Sequence, residues 1–495
     1  MDNEQPIRQE DKIPTGEKIA YGAADLFGGG HNTILSIILL YFFTSVIGID
    51  AALAGTIFLL SKIWDAVIDP MLGSVSDNLG RTKFGKFGRR KPFMLIGGLL
   101  IIPAYALLFA PIQGLPSQGA KMAYAVFAYL FYCSVASFSQ VPFMSMSSDI
   151  SSDYRERNKA NFVKLIFSAA SGGVCFLLPT VLMDQLKAQA ITQTTFYLAI
   201  VFGFGIVFTV PLVIAAFIVN ERTPIPTERE KFSLKEWLNS FKISSYKYHI
   251  LMYIFAFLCI DIISALALYY VQDVLRGVEL FGKQIGSIFV IAPMMVVAAC
   301  MIPVSYILMH KRSKQLAYRI GLPLYALGAI LLASYQPSWP SILIPIFSFV
   351  MGTGLGGAQM MPWLIFPDTV DVAEMKLGYR PTGAFSGAMT FARTLSTAVA
   401  IQLVGLILSF TGYKSSTLGT TVIQPDSAVL AIRIMMGVSV VILLSAAYYA
   451  SVKYTVTDSK LARVRYFNDR ARCGENALLT AEEQQEKDKL LKELA

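Results

Sequence analysis

The chain has 495 residues, of which 55% are hydrophobic and only 15% are charged. Soluble globular proteins carry roughly 25% charged residues, so this composition excludes an ordinary soluble domain. The formal net charge of +9 comes largely from short loops between apolar runs. It therefore indicates membrane topology rather than a nucleic-acid partner.

Runs of mostly apolar residues, each about 20 residues or longer and so able to cross a bilayer, recur along almost the whole chain. Their number predicts an all-α membrane protein with twelve transmembrane helices. The runs lie at 18–47, 51–77, 93–113, 120–149, 160–184, 193–219, 246–272, 283–309, 316–335, 338–364, 384–411 and 426–452.

The first six runs and the last six resemble each other weakly, which predicts two pseudo-symmetric six-helix bundles. An aromatic triad and a glycine-led tetrad repeat at matching positions: Tyr41-Phe42-Phe43 with Leu268-Tyr269-Tyr270, and Gly55-Thr56-Ile57-Phe58 with Gly286-Ser287-Ile288-Phe289. Two related halves around a site at the membrane midplane are typical of secondary transporters. The expected parts are an N-terminal segment (1–17), a first bundle (18–219), a connector (220–245), a second bundle (246–452) and a tail (453–495).

Basic residues concentrate in alternate loops, such as 78–92 and 150–159, while the loops between them are short and nearly uncharged. By the positive-inside rule the basic loops, both termini and the connector are cytoplasmic. We expect a multi-pass protein of the plasma (inner) membrane. The second part of the connector is expected to form a short amphipathic helix, and the tail a helix near 480–494.

The second run contains two carboxylates, Asp65 and Asp69, at a depth where each charge costs on the order of 3 kcal/mol. At about 100° per residue they share one helix face with Lys62. Such acids persist where they face water, pair with a base, or take a proton or a metal ion. They are therefore candidates for binding a coupling ion, H⁺ or Na⁺, with a metal role only if the ion is sodium. The alternative is a structural pair in which Lys62 neutralises Asp65.

Polar residues at helical spacing in other runs predict a hydrophilic cavity, because a polar stripe on an apolar helix must face protein or water. Hydroxylated ligands need paired hydrogen-bonding groups of this kind. The candidates for substrate contact from these stripes are Asp25, Asn32, Gln140, Met144, Lys164 and Arg393. A structural alternative is that Lys164 and Arg393 neutralise Asp25. Asp261 lies among apolar residues of its own helix face, and either a coupling role or a neutral hydrogen-bonded acid fits it.

Two charged segments between runs are candidate gates that would stabilise one transport state. We expect a cytoplasmic turn at 73–81, in which Asp77 pairs with Arg81 or with a base on another helix. The segment at 367–380 is expected to be a cytoplasmic loop in which Asp368, Asp371 and Arg380 take part in another salt-bridge network. A solvated loop explains the second segment nearly as well.

Several motifs in order resemble the glycoside–pentoside–hexuronide:cation symporters, a branch of the major facilitator superfamily. The resemblance covers roughly residues 15–455 and is strongest in the second run. The motifs are Lys62-Ile-Trp-Asp65-Ala-Val-Ile-Asp69-Pro70, Gly85-Lys-Phe-Gly-Arg-Arg-Lys-Pro92, Arg155-Glu-Arg157, Asp368-Thr-Val-Asp371 and Gly383-Ala-Phe-Ser386.

The resemblance implies that Asp65, Asp69 and Ser137 bind the coupling cation. It also implies that Asp25, Lys164 and Arg393 contact the sugar. Four positions depart from melibiose permease: Gln140 replaces an aspartate, Met144 a tryptophan, Ala24 a lysine and Ile68 a cation-site asparagine. The first three departures argue against a galactoside, and the last favours protons over sodium.

The expected function is cation-coupled symport of a glycoside, pentoside or hexuronide by alternating access, in a monomer with no cofactor beyond the coupling ion. No catalytic constellation and no nucleotide-binding motif occurs, so neither an enzyme nor an ATP-driven pump is expected. The expected partners are a small sugar and the lipid bilayer, with no nucleic acid. A lysolipid or amphiphile carrier, an uncoupled uniporter or exporter, and a non-transporting sensor of similar fold are the alternatives.

Overall fold

The structure is a computed structural model that describes residues 12–79, 87–151, 153–222, 243–280, 282–311, 313–379, 382–420, 422–472 and 479–494. Within these residues, twelve helices are long and apolar enough to cross a membrane, as the sequence predicts. They are α1 (Thr15–Ser45), α2 (Ala51–Leu79), α3 (Lys91–Leu108), α4 (Gln118–Asp149), α5 (Tyr154–Lys187), α6 (Gln193–Ile218), α7 (Ser244–Val274), α8 (Ile288–Lys311), α9 (Lys314–Ser334), α10 (Leu343–Leu377), α11 (Thr382–Phe410) and α12 (Asp426–Lys453).

Four short elements complete the described chain. A two-stranded antiparallel hairpin, β1 (Glu279–Leu280) and β2 (Lys283–Gln284), lies between α7 and α8. Two further helices, α13 (Asp458–Arg472) and α14 (Ala481–Leu494), form the tail. The helix expected near 480–494 is thus confirmed, and α13 is an element that the sequence reasoning did not predict.

The chain divides into two compact units, residues 1–229 with 401–428, and residues 230–400 with 429–495. The end of α11 and the segment after it therefore belong to the first unit, where Gly405 lies against the start of α2 and Ile47 forms a β-bridge with Thr417. This division differs from the boundaries expected from the apolar runs, because chain order alone cannot show which helix a segment packs against.

Each unit repeats the same helix pairings. In the first unit α1 packs on α6, α2 on α4, and α3 on both α4 and α6. In the second unit α7 packs on α12, α8 on α10, and α9 on both α10 and α12. Short π-helical turns recur at related places, in α1 and α7 and in α6 and α12. The internal repeat is therefore structural as well as a weak sequence similarity.

Two predicted loops are helical. The turn expected at 73–81 is replaced by helix as far as Leu79, and the segment expected to be a loop from 367 onward belongs to α10 as far as Leu377. Apolarity sets the length of a membrane span, but the backbone hydrogen bonds of a helix continue through polar residues. The α10 helix ends where Gly378 adopts a positive φ of 77° and its N–H bonds to the carbonyl of Glu374, a typical glycine terminator.

Some predictions concern residues outside the described part. The amphipathic helix is expected in the second part of the connector, most of which lies within residues 223–242, outside the described part. Arg81 and Arg380 also lie outside the described residues. Asp77 lies within α2, but its side chain is outside the description.

Candidate ion and substrate sites

The two carboxylates of α2 differ in their partners. Asp65 accepts a hydrogen bond from the Lys62 ammonium across 2.8 Å, and both side chains are largely buried, at 13% and 15% exposure. Asp69, one turn further along, accepts a hydrogen bond from the Ser137 hydroxyl of α4 across 2.5 Å. Within the described part of the chain, no basic side chain forms a salt bridge with Asp69.

The α4 helix completes this cluster, since α2 and α4 pack together. Cys133 lies one turn before Ser137 and interacts electrostatically with Asp65, Asp69 and Lys62. Trp64 of α2 donates its indole N–H to the Ser134 hydroxyl across 2.9 Å, which fixes the register of the two helices. Lys62, Asp65 and Asp69 together carry one positive and two negative charges, so the cluster retains a net charge of −1 when all three are ionised.

Asp25 lies in the middle of α1 and is only 4% exposed. Its Oδ1 atom has no hydrogen-bond partner among the described residues, and the same holds for Nε2 of Gln140 on α4. Lys164 of α5 is the basic group that interacts with Asp25 electrostatically. Two buried polar atoms without partners are costly unless a ligand or water satisfies them, so this location can accept a hydroxylated molecule.

Close packing of α1 on α5 holds Asp25 at this site. A Cβ atom on Gly29 would overlap the backbone carbonyl of Ser168, and one on Gly22 would lie 2.7 Å from a methyl group of Val163. Only glycine permits the two backbones to approach this closely. Sequence reasoning placed Gly22 and Gly29 on the face of Asp25, but it could not show which helix they pack against.

Lys164 is 8% exposed, and its ammonium lies near a thioether sulfur and an aromatic ring. Its ammonium lies 3.3 Å from the Met144 sulfur and 4.9 Å from the centre of the Phe143 ring. Neither neighbour is a strong acceptor, and a cation–π contact satisfies an ammonium only in part. Lys164 therefore retains the capacity to donate hydrogen bonds to a ligand.

Two predicted substrate residues are less enclosed than Asp25. Met144 is 56% exposed, and its sulfur lies 3.3 Å from the Lys164 ammonium. Asn32 is exposed and lies seven residues beyond Asp25, about 10 Å along the helix axis. The structure therefore does not bring Asn32 into the buried cluster, because sharing a helix face does not mean sharing a depth.

In the second unit, Arg393 of α11 and Asp261 of α7 form a two-point ion pair with N–O distances of 2.5 and 2.8 Å. Arg393 also donates to the Thr397 hydroxyl, and its guanidinium lies 4.7 Å from the centre of the Phe257 ring. Arg393 therefore neutralises Asp261, which lies in its own unit, and not Asp25 as the structural alternative held. The apolar surroundings expected for Asp261 were inferred from its own helix face alone. That inference could not reveal the partner on α11, Arg393.

The candidate gate residues of α10 are held by bases of the second unit. Asp368 lies 2.6 Å from the Lys314 ammonium and 3.4 Å from the Arg465 guanidinium of α13. Asp371 lies 2.9 Å from Arg465, and its backbone carbonyl accepts a hydrogen bond from Asn468. The hydrogen bond to Asp371 raises the pKa of Arg465 above its ordinary value. The tail is therefore fixed to the end of α10, and no pattern along the chain indicated this contact.

The chain matches the model of one protein family, described as MFS/sugar transport protein, over residues 20–458. The chain belongs to this family. It is 26% identical to a protein named uncharacterized symporter YjmB from Bacillus subtilis, a comparison that covers 92% of this chain and 96% of the relative. It is 25% identical to a protein named putative glycoside/cation symporter YagG from Escherichia coli, over 90% of this chain and 93% of the relative.

The fold is also that of solved transporters. The crystal structure of the nucleoside transporter NupG superposes with a TM-score of 0.58 at 14% identity, covering 89% of this chain and 98% of that one. The MFS/sugar transport family comprises membrane transporters, so the protein is a transporter and not an enzyme. The matched range includes every candidate ion and substrate residue, whereas most of the tail lies beyond it.

A metal ion and a proton need different ligand arrangements. Among the described residues, no group of three or more His, Cys, Asp or Glu side chains is arranged to hold a metal ion. A single carboxylate with a hydroxyl donor, as at Asp69, can still take up a proton. The arrangement can thus change its charge by one without a large set of oxygen ligands.

Proposed function

We propose that this transporter is a proton-coupled symporter that carries a small sugar of the glycoside, pentoside or hexuronide class by alternating access. The observation that carries the proposal is Asp69, a carboxylate within a membrane-spanning helix. Among the described residues, its one hydrogen bond comes from the Ser137 hydroxyl and no base forms a salt bridge with it. An ionised acid at this depth is costly, and a bound cation removes that cost. Ion binding would thereby favour the state that crosses between the two sides.

Asp69 is a better ion acceptor than Asp65, because the Lys62 ammonium already neutralises Asp65 at 2.8 Å. The cluster's net charge of −1 matches one monovalent cation. A proton needs a single carboxylate oxygen, whereas hard metal ions take about six oxygen ligands. Ile68, next to Asp69, offers no oxygen from its side chain. These features favour the proton over sodium as the coupling ion.

The substrate would bind at Asp25, Gln140 and Lys164, where unpartnered acceptor and donor atoms match the hydroxyl groups of a sugar. Both this site and the ion site include residues of α4, since Gln140 lies three residues after Ser137. Rigid coupling through one helix would make binding of the ion and the sugar reciprocal, typically by about 1–3 kcal/mol. The relative named putative glycoside/cation symporter supports the pairing of a sugar with a cation.

Uptake into proteoliposomes tests this function. Wild-type protein is expected to accumulate a sugar from a panel of glycosides, pentosides and hexuronides when a proton gradient is imposed. Asp69→Asn is expected to abolish accumulation while it leaves sugar counterflow measurable, because only coupling is lost. Asp50→Asn is the matched control, since Asp50 begins the same helix and an asparagine preserves its hydrogen bond to the Ala52 N–H.

The outcomes separate the alternatives. Accumulation driven by sodium alone would correct the ion while it keeps symport. Uptake that ignores both gradients would support a uniporter and contradict coupling. If Asp69→Asn accumulates sugar as the Asp50→Asn control does, Asp69 is not the ion acceptor.

A further inference from the structure

The guanidinium of Arg393 in the second unit is already engaged by an ion pair with Asp261. The two carboxylate oxygens of Asp261 accept from the two terminal nitrogens of Arg393, a fork-to-fork geometry that satisfies both charges. Asp261 is 4% exposed, while the Arg393 side chain keeps 29% of its surface accessible. The acid is therefore fixed inside the protein, and the base is the partner that a ligand can reach.

An anionic substrate could engage Arg393 fully only by displacing Asp261. Displacement would leave Asp261 as a buried carboxylate without a counter-charge, which is strongly unfavourable. A hydroxyl group makes no such demand, because it can accept from guanidinium N–H groups that Asp261 and Thr397 leave unused. The ion pair is thus compatible with a neutral ligand and unfavourable for a carboxylate.

The candidate substrate residues of the first unit carry a balanced charge in the same way. Lys164 interacts electrostatically with Asp25, and together they contribute one positive and one negative charge. A substrate carboxylate placed near Lys164 would also meet the unpartnered oxygen of Asp25, which repels it. The hydroxyls of a neutral sugar can donate to that oxygen and accept from Lys164 and Gln140.

We propose that Asp261 is a specificity-determining residue that neutralises Arg393, so that the transporter selects uncharged glycosides over hexuronides and other anionic sugars. This inference rests on the proposed function, since it assumes that the transported sugar passes within reach of Arg393. It narrows the substrate class that the sequence leaves open. Asp261 acts through Arg393 and is a positioning residue, not a coupling acid.

A matched pair of probes tests the proposal: methyl β-glucoside and methyl β-glucuronide differ only in a hydroxymethyl group or a carboxylate at C6. The corresponding galactoside and galacturonide form a second matched pair, and a xyloside, which lacks C6, serves as a further neutral probe. Wild-type protein is expected to take up the neutral member of a pair in preference to the uronide. Asp261→Asn keeps the size of the side chain, frees the guanidinium, and is expected to shift the ratio toward the uronide by about tenfold or more.

The double variant Asp261→Asn/Arg393→Gln is the matched control, because it removes the freed positive charge. Its ratio is expected to return toward that of the neutral-selective wild type. Thermal stability and size-exclusion profiles in detergent establish whether each variant is folded. If Asp261→Asn does not fold, the wild-type ratio still tests the proposal, because a preference for the uronide overturns it.

Preference of the wild type for the uronide would overturn the proposal, and so would an unchanged ratio in a folded Asp261→Asn protein. A shift that persists in the double variant would show that Arg393 is not responsible and would overturn it as well. If no member of the panel is transported under either imposed gradient, the proposed sugar-transport function fails instead. The two failures are therefore distinguishable.

Discussion

Replacing Gly29 by alanine tests the close helix packing that positions the buried acid Asp25. The new Cβ would overlap the Ser168 backbone carbonyl, which cannot rotate away as a side chain could. Overpacking of this kind costs about 1–3 kcal/mol. Alanine also favours the helix over glycine by about 1 kcal/mol, which offsets part of that cost.

Gly173→Ala controls for the gain in helix propensity. Gly173 lies on α5, and a Cβ there meets nothing within 4 Å. Both variants gain the same helix propensity, so the difference between them isolates the packing cost, about 1–3 kcal/mol. The assay is thermal unfolding of the purified protein in detergent, together with sugar affinity. Gly29→Ala is expected to melt at lower temperature and to bind sugar more weakly than Gly173→Ala. Equal stability and affinity of the two variants would refute the packing of α1 on α5.

Two further substitutions have expected outcomes. Lys62→Gln leaves Asp65 buried without its counter-charge and is expected to destabilise the protein by about 3–5 kcal/mol in thermal unfolding. The double variant Lys62→Gln/Asp65→Asn is expected to recover part of this loss. Equal stability of the single and double variants would contradict the ion pair. Arg465→Gln removes the contact of α13 with Asp368 and Asp371, so hydrogen exchange of the α13 amides is expected to accelerate. A matching change at the exposed Lys489 of α14 is expected to leave that exchange unchanged, and an equal effect of both changes would contradict specific docking of the tail.

The membrane helices and the acids of α2 could be predicted from the sequence because each leaves a strong local signal. A long apolar run has few structural alternatives in a bilayer. A carboxylate inside such a run is costly, and acids in membrane helices therefore usually have a functional role. The sequence also predicted that Lys62 could pair with Asp65, since the two share a helix face, and the structure confirms that pair.

Contacts between distant helices could not be predicted in the same way. Asp261 and Arg393 are 132 residues apart, and the pattern along either helix says nothing about the other. Two other features could not be predicted for the same reason. They are the ion pair of Arg465 with α10 and the packing of residues 401–428 in the first unit. Helix lengths beyond the membrane were also missed, because charged residues end an apolar run without ending a helix.

Proton movement that accompanies sugar entry is the most direct test of coupling at Asp69. A sugar from the transported panel is added outside de-energised proteoliposomes, and the external pH is recorded while labelled sugar enters. The account predicts that wild-type protein makes the medium more alkaline as sugar flows inward, and that Asp69→Asn admits sugar without a pH change. Downhill sugar entry with no alkalinisation in the wild type, or with undiminished alkalinisation in Asp69→Asn, would contradict it.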